Sequence, residues 1–261
     1  MRCLRTVSEL REALRTRSAS LTTGFVPTMG NLHAGHLSLL ERSVAENTRT
    51  IASIFVNPTQ FNAEADFRLY PRTLDDDLAL LEKAGVAYCF HPDPSEMYPD
   101  DFSFQVQENR LALPMEGNSR PGHFTGMLTV VLKLLNLTRP TRAYFGEKDY
   151  QQASLVSAMV KAFFLETDII VCPTIREASG LPFSSRNRRL NAEQRQTADT
   201  FARIFHAGSP LEATRNALEA AGIAVDYLEE HAGRRFVAVK IGDIRLIDNT
   251  ETLNANREPS S

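Results

Sequence analysis

Seven residues, Thr50-Ile-Ala-Ser-Ile-Phe-Val56, form the run that most limits how this chain can fold. A strand with one face in water alternates apolar and polar side chains, whereas a near-continuous apolar run needs cover on both faces. The run breaks off at Asn57-Pro-Thr-Gln60. The same order, apolar strand then polar turn, recurs at Gly24-Phe-Val26 and at Tyr144-Phe145. A further covered strand reads at Asp168-Ile-Ile-Val-Cys172. Between these runs apolar residues return at helical spacing: Val7, Leu10 and Leu14; Leu37, Leu40 and Val44; Leu74, Leu78 and Leu81; Leu128, Val131, Leu132 and Leu135.

Strands alternating with helices through about residue 172 predict an α/β fold. It is Rossmann-like and doubly wound, a mostly parallel sheet with helices on both faces. Beyond it, helices to about Ala207 and over 211–221 precede strands at Val225, Phe236 and Ile244, which gives a smaller C-terminal α+β domain. The boundary is expected at 1–174 and 175–261. Locally, Thr6-Val-Ser-Glu9 is a capping box and Thr73 a helix cap. Phe102 to Val106 alternates like an edge strand, and the last few residues read as disordered.

Composition excludes several classes. With 261 residues, 43% hydrophobic, the chain can bury a sizeable core, and a net charge of −3 argues against a broad nucleic-acid surface. Three dispersed cysteines without C-x-x-C give neither a disulfide framework nor a thiolate zinc site. The N-terminus, with Arg2, Arg5 and Arg11, lacks the apolar centre of a secretory signal, and no run is long enough to span a bilayer. A soluble cytoplasmic protein is expected.

Polar residues follow three of the strands, at Thr28–His36, Asn57–Gln60 and Gly146–Gln152, so they share the carboxyl edge of the sheet, where such folds bind ligands. The first stretch is a strand, a turn with Pro27, Gly30 and Asn31, and a helix start at Gly35-His36. Free N–H groups and the helix dipole there suit a phosphate, and His33 and His36 can donate to oxygens that gain charge. A zinc reading of His-x-x-His lacks a third ligand at usable spacing. Gly146 lets backbone approach a ligand, and Lys148 offers a point charge. Asp149 caps a helix or orients a metal. Three aspartates, Asp75 to Asp77, open a helix as dipole complements, or hold Mg²⁺ through water at Asp76 and Asp77.

Five segments also carry a resemblance. Val26-Pro-Thr-Met-Gly-Asn-Leu-His-Ala-Gly-His36 contains the His-x-Gly-His of the nucleotidyltransferase superfamily and, at its full length, resembles the pantothenate synthetases, the ATP-dependent pantoate–β-alanine ligases. Ser53-Ile-Phe-Val-Asn-Pro-Thr-Gln-Phe61, Tyr70-Pro-Arg-Thr73 with Asp77, Phe145-Gly-Glu-Lys-Asp-Tyr-Gln-Gln152 and Arg176 through Gly180-Leu-Pro-Phe-Ser-Ser-Arg-Asn187 are similar to further segments of that family, in family order. Glu116 to Phe124 and the Ile241-to-Asn249 end also match. Pro182 and Phe183 depart, where the family has Ala and Met or Leu; Pro182 is expected to stiffen a loop that is mobile in the superfamily.

The resemblance implies condensation of pantoate with β-alanine through a pantoyl adenylate, with ATP as substrate and Mg²⁺ as cofactor. His36, His33, Lys148, Ser184, Ser185 and Arg186 would be catalytic. Met29, Gly30, Asn31, Leu32, Ala34, Gly35, Gly146, Glu147, Asp149, Ile175 and Phe183 would join them around ATP. Pro27, Thr28, Met29, Asn57, Gln60 and Gln152 would receive pantoate and β-alanine, and Asp76 and Asp77 the metal. A homodimer is implied, with the C-terminal domain as a lid, and neither nucleic acid nor membrane as partner. Two other readings stay open: a different nucleotidyltransferase that needs no amine, and a non-catalytic nucleotide-binding regulator.

Overall fold

The computed structural model describes residues 1–15, 21–62 and 64–252. The tail expected to be disordered lies outside the described residues. The chain divides into two compact units, Met1–Pro173 and Thr174–Ser261.

In the first unit the order is β1 (Arg2–Leu4), α1 (Val7–Ala13), β2 (Thr23–Thr28), α2 (Ala34–Glu46), β3 (Arg49–Ile54), α3 (Glu64–Arg68), α4 (Leu74–Lys83), β4 (Tyr88–Phe90) and α5 (Pro94–Met97). Then come α6 (Glu116–Ser119), α7 (His123–Thr138), β5 (Arg142–Gly146), α8 (Tyr150–Ala162) and β6 (Asp168–Cys172). The six strands pair in parallel in the order β1-β4-β3-β2-β5-β6.

This order makes the sheet doubly wound. From β2 the chain moves outward through β3 to β4, then returns to the other side of β2 for β5 and β6. The reversal falls between β2 and β5, and the crevice at their carboxyl ends is where an open sheet of this kind accepts ligands.

Alternation along each strand feeds two apolar layers. Phe25, Ile51, Phe90 and Phe145 enter one core with residues of α1, α7 and α8, such as Leu10, Leu128 and Val156. Their neighbours Val26, Ala52, Cys89 and Tyr144 enter the other with Leu40 of α2 and Leu81 of α4. Both faces of Thr50–Ile54 are therefore buried, which is why the run carries no alternation.

The second unit holds α9 (Ala192–Phe205), α10 (Leu211–Ala220) and an antiparallel meander of β7 (Ala224–His231), β8 (Arg234–Ile241) and β9 (Ile244–Glu251). Phe201, Phe205 and Leu218 pack on Val237, Val239 and Leu246 to form its core.

Three local expectations are settled by hydrogen bonds. The Thr6–Glu9 capping box is present, and Asn191 with Gln194 makes another. Thr73 stands at the N-cap of α4, but its hydroxyl donates to Asp77 Oδ2 (3.1 Å) instead of accepting from the helix. Phe102 to Val106 is not a strand. Phe102 turns to a φ of 62°, and the Val106 N–H is taken by the Thr129 hydroxyl of α7 (2.9 Å), so a helix side chain replaces a strand partner.

Candidate active site

The end of β2 is fixed from its neighbour. The Thr28 hydroxyl donates to the Ser53 carbonyl of β3 (2.6 Å) and accepts the Gly30 N–H (3.2 Å). Gly30 has a φ of 80°, and a Cβ there would meet Asp77 Oδ2 at 2.9 Å, so the turn requires glycine. Next, the N–H groups of Asn31 and Leu32 donate to Asp77 Oδ2 (2.8 Å) and Oδ1 (2.7 Å). These two N–H groups are thus held by a carboxylate of the protein. The N–H groups left for an anion are those of the first turn of α2, Ala34, Gly35 and His36. His33 occupies its N-cap position without a side-chain cap, and no acidic residue stands in that turn.

His33 and His36 lie with ring centroids 4.1 Å apart and their planes tilted by 34°. His36 Nδ1 is buried with no hydrogen-bond partner among the described residues. A proton there would be an unsatisfied buried donor, so the neutral ring carries its proton on Nε2, which is thereby a donor. Burial and then the nearby Lys148 charge pull the His36 pKa down to about 4. At neutral pH it is an uncharged hydrogen-bond donor, and Lys148 supplies the fixed positive charge.

Lys148 lies in the short turn after β5, Glu147–Asp149, and pairs with Asp149 (3.5 Å). Asp149 makes no side-chain cap to α8, so of its two expected roles the cap is absent. The doublet that follows divides its labour. Gln151 is buried, donating to the carbonyls of Leu111 and Pro114 (both 2.9 Å) and accepting from the Glu116 N–H (3.2 Å). Gln152 is half-buried, and its side-chain amide makes no hydrogen bond among the described residues. It keeps its full capacity for a ligand.

At the end of β3, Asn57 is saturated. Its Nδ2 donates to Gln60 Oε1 and to the Gly126 carbonyl (both 3.1 Å), and its Oδ1 accepts from Tyr98 (2.7 Å) and Thr59 (3.0 Å). Two donor hydrogens and two lone pairs of its side chain are all taken within the fold, and one of those bonds positions Gln60. The carbonyl of Gln60 is held from α7 and the residue run before it by His123 Nδ1 (2.8 Å) and Arg120 (3.3 Å). The Gln60 amide nitrogen reaches Met29 of the β2 loop (2.9 Å), which ties the two loops together. With Oε1 accepting from Asn57 and Nε2 donating to Met29, the Gln60 amide is fixed in orientation and keeps one N–H for a further partner.

His123 is explained by this geometry. Its Nδ1–H donates to Gln60, and its Nε2 accepts from Arg120 (3.2 Å). Burial, then the Arg120 charge, lowers its pKa to about 4. Arg120 in turn pairs with Glu116 (3.6 Å). Sequence reasoning placed the Glu116–Phe124 segment but missed that it cradles the Gln60 turn. The signal available was the one-turn spacing of Glu116, Arg120 and His123.

The second unit carries Ile175, Phe183, Ser184, Ser185 and Arg186. The chain folds back over 175–183: Glu177 N–H donates to Leu181 (2.8 Å), Phe183 N–H to Ile175 (3.1 Å), and Arg176 faces Pro182 between them. At such a position the N–H points away from the partner, so Pro182 removes no ladder bond. Arg176 donates twice to the buried Asp248 (2.7 and 3.0 Å) and also to Gly180 (3.0 Å). Asn187 donates to Glu177 (2.8 Å) and Pro182 (2.9 Å), and Ser184 accepts the Arg186 N–H (3.3 Å). Buried Asp248 was not foreseen as an anchor.

The acidic first turn of α4 does not fit a Mg²⁺ centre. Asp76 is exposed, both oxygens of Asp77 face N–H donors, and no group of three His, Cys, Asp or Glu that could hold a metal occurs among the described residues. No helix among them is long and apolar enough to cross a membrane.

A sequence profile for the family described as pantoate-beta-alanine ligase matches residues 2–251. A pantothenate synthetase of Legionella pneumophila (strain Corby) is 58% identical over 234 residues, covering 90% of this chain and 93% of its own length. One from Coxiella burnetii (strain Dugway 5J108-111) is 53% identical over 238 residues, covering 91% and 92%. Among solved structures, the pantoate-beta-alanine ligase of Francisella tularensis, complexed with beta-gamma ATP and beta-alanine, superposes with a TM-score of 0.93 at 42% identity over 97% of this chain and 98% of that one. A pantothenate synthetase of Thermus thermophilus gives 0.90 at 43%, covering 97% and 99%.

Proposed function

The chain belongs to the pantoate–β-alanine ligase family, and from that membership we propose how its own residues carry out the ATP-dependent condensation of pantoate with β-alanine. The observation that carries the reading is the convergence of His36, Lys148, Gln60 and Met29 on the crevice where the strand order reverses.

A carboxylate oxygen of pantoate attacks the α-phosphorus of ATP. The bond from that phosphorus to the bridging oxygen breaks, and pyrophosphate leaves with the electron pair. The β-alanine amine then attacks the acyl carbon of the adenylate, AMP departs and the amine loses a proton. Both steps need positioning and charge neutralisation, and neither needs a nucleophilic side chain. The first-turn N–H groups of Ala34, Gly35 and His36, the Nε2–H of His36, and His33 meet the phosphate oxygens. Lys148 neutralises charge that builds there. Ser184, Ser185 and Arg186 are assigned to the departing pyrophosphate, and Gly146, Glu147, Ile175 and Phe183 to the nucleotide. Gln60 and Gln152 hold pantoate by donation, next to Pro27, Thr28 and Met29. Mg²⁺ belongs to this reading as the ion ATP brings on its phosphates, and no residue role above depends on it. The protein is taken to act in the cytoplasm as a homodimer.

The test follows AMP, pyrophosphate and the amide product together, from ATP, Mg²⁺, pantoate and β-alanine. AMP that appears only with both organic substrates supports the ligase. Pyrophosphate release without any dependence of AMP on the amine would favour another nucleotidyltransferase, and ATP binding without turnover a regulator.

A further inference from the structure

We infer that Asp77 acts in this reaction as a positioning residue, holding the loop that delivers both histidines, and not as a ligand of a divalent cation. The catalytic half of this inference rests on the ligase reading; the structural half does not.

Three aspartates stand side by side at the start of α4, yet only one is turned inward. Asp75 and Asp76 are exposed, while Asp77 is 2% exposed. Its oxygens accept three hydrogen bonds, from the Asn31 and Leu32 N–H groups and the Thr73 hydroxyl. Gly30 at a φ of 80° and Asn31 at 51° aim successive N–H groups into one concavity, an arrangement that ordinarily receives an anion. Here the anion is the protein's own carboxylate, and a side chain on Gly30 would collide with it. Mg²⁺ takes oxygen lone pairs at about 2.0–2.1 Å in near-ideal octahedral geometry. Asp77 already spends three of its roughly four lone-pair sites on the protein and is buried against the loop, so it is turned away from a hydrated cation.

The link to chemistry is short. Leu32 is followed by His33, the N-cap of α2, and His36 lies within the first turn. On the other side of Gly30 the loop is tied to β3 through Thr28. Thr28 and Asp77 therefore grip the loop at both ends, and the chain leaves the Asp77 end directly into His33 and the first turn of α2.

Asp77→Asn keeps the volume but puts an amide donor where one N–H needs an acceptor. Two readouts decide. Hydrogen exchange at the Asn31 and Leu32 amides is expected to quicken by about tenfold or more, the scale of one lost hydrogen bond. The maximal rate of adenylate formation, titrated with Mg²⁺, is expected to fall about 10²-fold, as for a misplacement near 1 Å. The half-saturating Mg²⁺ concentration should stay within twofold of the parent. Unchanged exchange at both amides, or a half-saturation raised tenfold with the rate recovered at high Mg²⁺, would overturn the inference. If Asp77→Asn fails to fold, Thr73→Val removes one bond to the carboxylate and replaces no candidate metal ligand. A several-fold slower reaction at unaltered Mg²⁺ dependence is then expected, and a shifted Mg²⁺ dependence overturns it. Should the parent make no pantothenate, the ligase reading falls, and the exchange experiment still decides the role of Asp77.

Discussion

Gly126 is the position where a single methyl group tests how the pantoate side of the site is held. It lies in the second turn of α7, against the backbone of the Asn57–Gln60 turn. A Cβ there would stand 2.3 Å from the Thr59 carbonyl oxygen, 2.5 Å from its carbon and 2.8 Å from the Gln60 nitrogen. Every one of these is a main-chain atom, so nothing can rotate away. Ordinary contact begins near 3.4 Å, so helix and turn must separate by about 1 Å. The separation stretches the Asn57 bond to the Gly126 carbonyl and carries Gln60 with it. Stability registers two opposing effects. Alanine gains about 1 kcal/mol over glycine within a helix, and overpacking costs about 1–3 kcal/mol. The net loss is at most about 2 kcal/mol, a fall in Tm of no more than about 8 °C at 2–4 °C per kcal/mol. Activity has no such offset, and a displacement near 1 Å is expected to lower kcat/KM for pantoate about 10²-fold. Initial-rate kinetics with pantoate varied, beside thermal denaturation, separate the two effects. A folded Gly126→Ala protein with kcat/KM within twofold of the parent would refute the idea that α7 sets Gln60.

His36→Ala is expected to lower adenylate formation by about 10²–10³, the effect of one lost transition-state donor, and a single-turnover rate near that of the parent would remove His36 from the role. Acid should weaken the fold through the same residue and through His123. The unfolded chain takes protons on both near pH 6.5, but the folded chain only near pH 4. Stability therefore falls as pH drops through that window, by on the order of 3 kcal/mol per histidine. Urea unfolding at pH 7 and pH 4.5 measures it, and equal midpoints would contradict the burial argument. Asp248→Ala, which strips Arg176 and His206 of a fully buried partner, should destabilise the second unit by about 3 kcal/mol. Denaturation with no change in midpoint would show that the pair is not a clamp.

The sheet was legible because covered strands announce themselves. Thr50–Val56 carries too little polarity to face water, and the helical spacings between strands fix what lies on each side. Asp168–Cys172 reads as covered too, but it is the outer strand of the sheet, with Asp168 and Val171 exposed and only Cys172 buried. The strand order was not legible, since nothing local in Arg2–Leu4 says that it pairs with Tyr88–Phe90 at the far edge. Phe102–Val106 failed for a related reason. Alternation marks two-sidedness, yet the partner chosen by Val106 was a threonine on a helix. At the site, residue types and turn positions pointed to loops that follow neighbouring strands of the parallel sheet. The sequence could not say which polar atoms are already engaged, because that depends on groups distant in the chain, such as Asp77 with Asn31 and His123 with Gln60.

Capacity, counted atom by atom, separates residues that hold the site from residues free to meet a ligand. In each polar pair of this crevice one member closes its hydrogen bonds within the fold, and its partner keeps an open donor. Asn57 is saturated, and it leaves Gln60 presenting an amide N–H. Gln151 braces the 111–116 segment, while Gln152 is uncommitted. Asp77 closes on the loop, and His36 is left with Nε2–H as its donor because Nδ1 is sealed in the core. A carboxylate nucleophile and a phosphate both ask for donors, and these residues offer them: two amide groups, an imidazole N–H, the first N–H groups of α2 and the Lys148 ammonium, which also pairs with Asp149. The acceptor oxygens of Asn57 and Asp77 are turned to donors of the protein itself. That polarity makes the crevice complementary to an anion attacking an anion, the encounter that adenylation of pantoate requires.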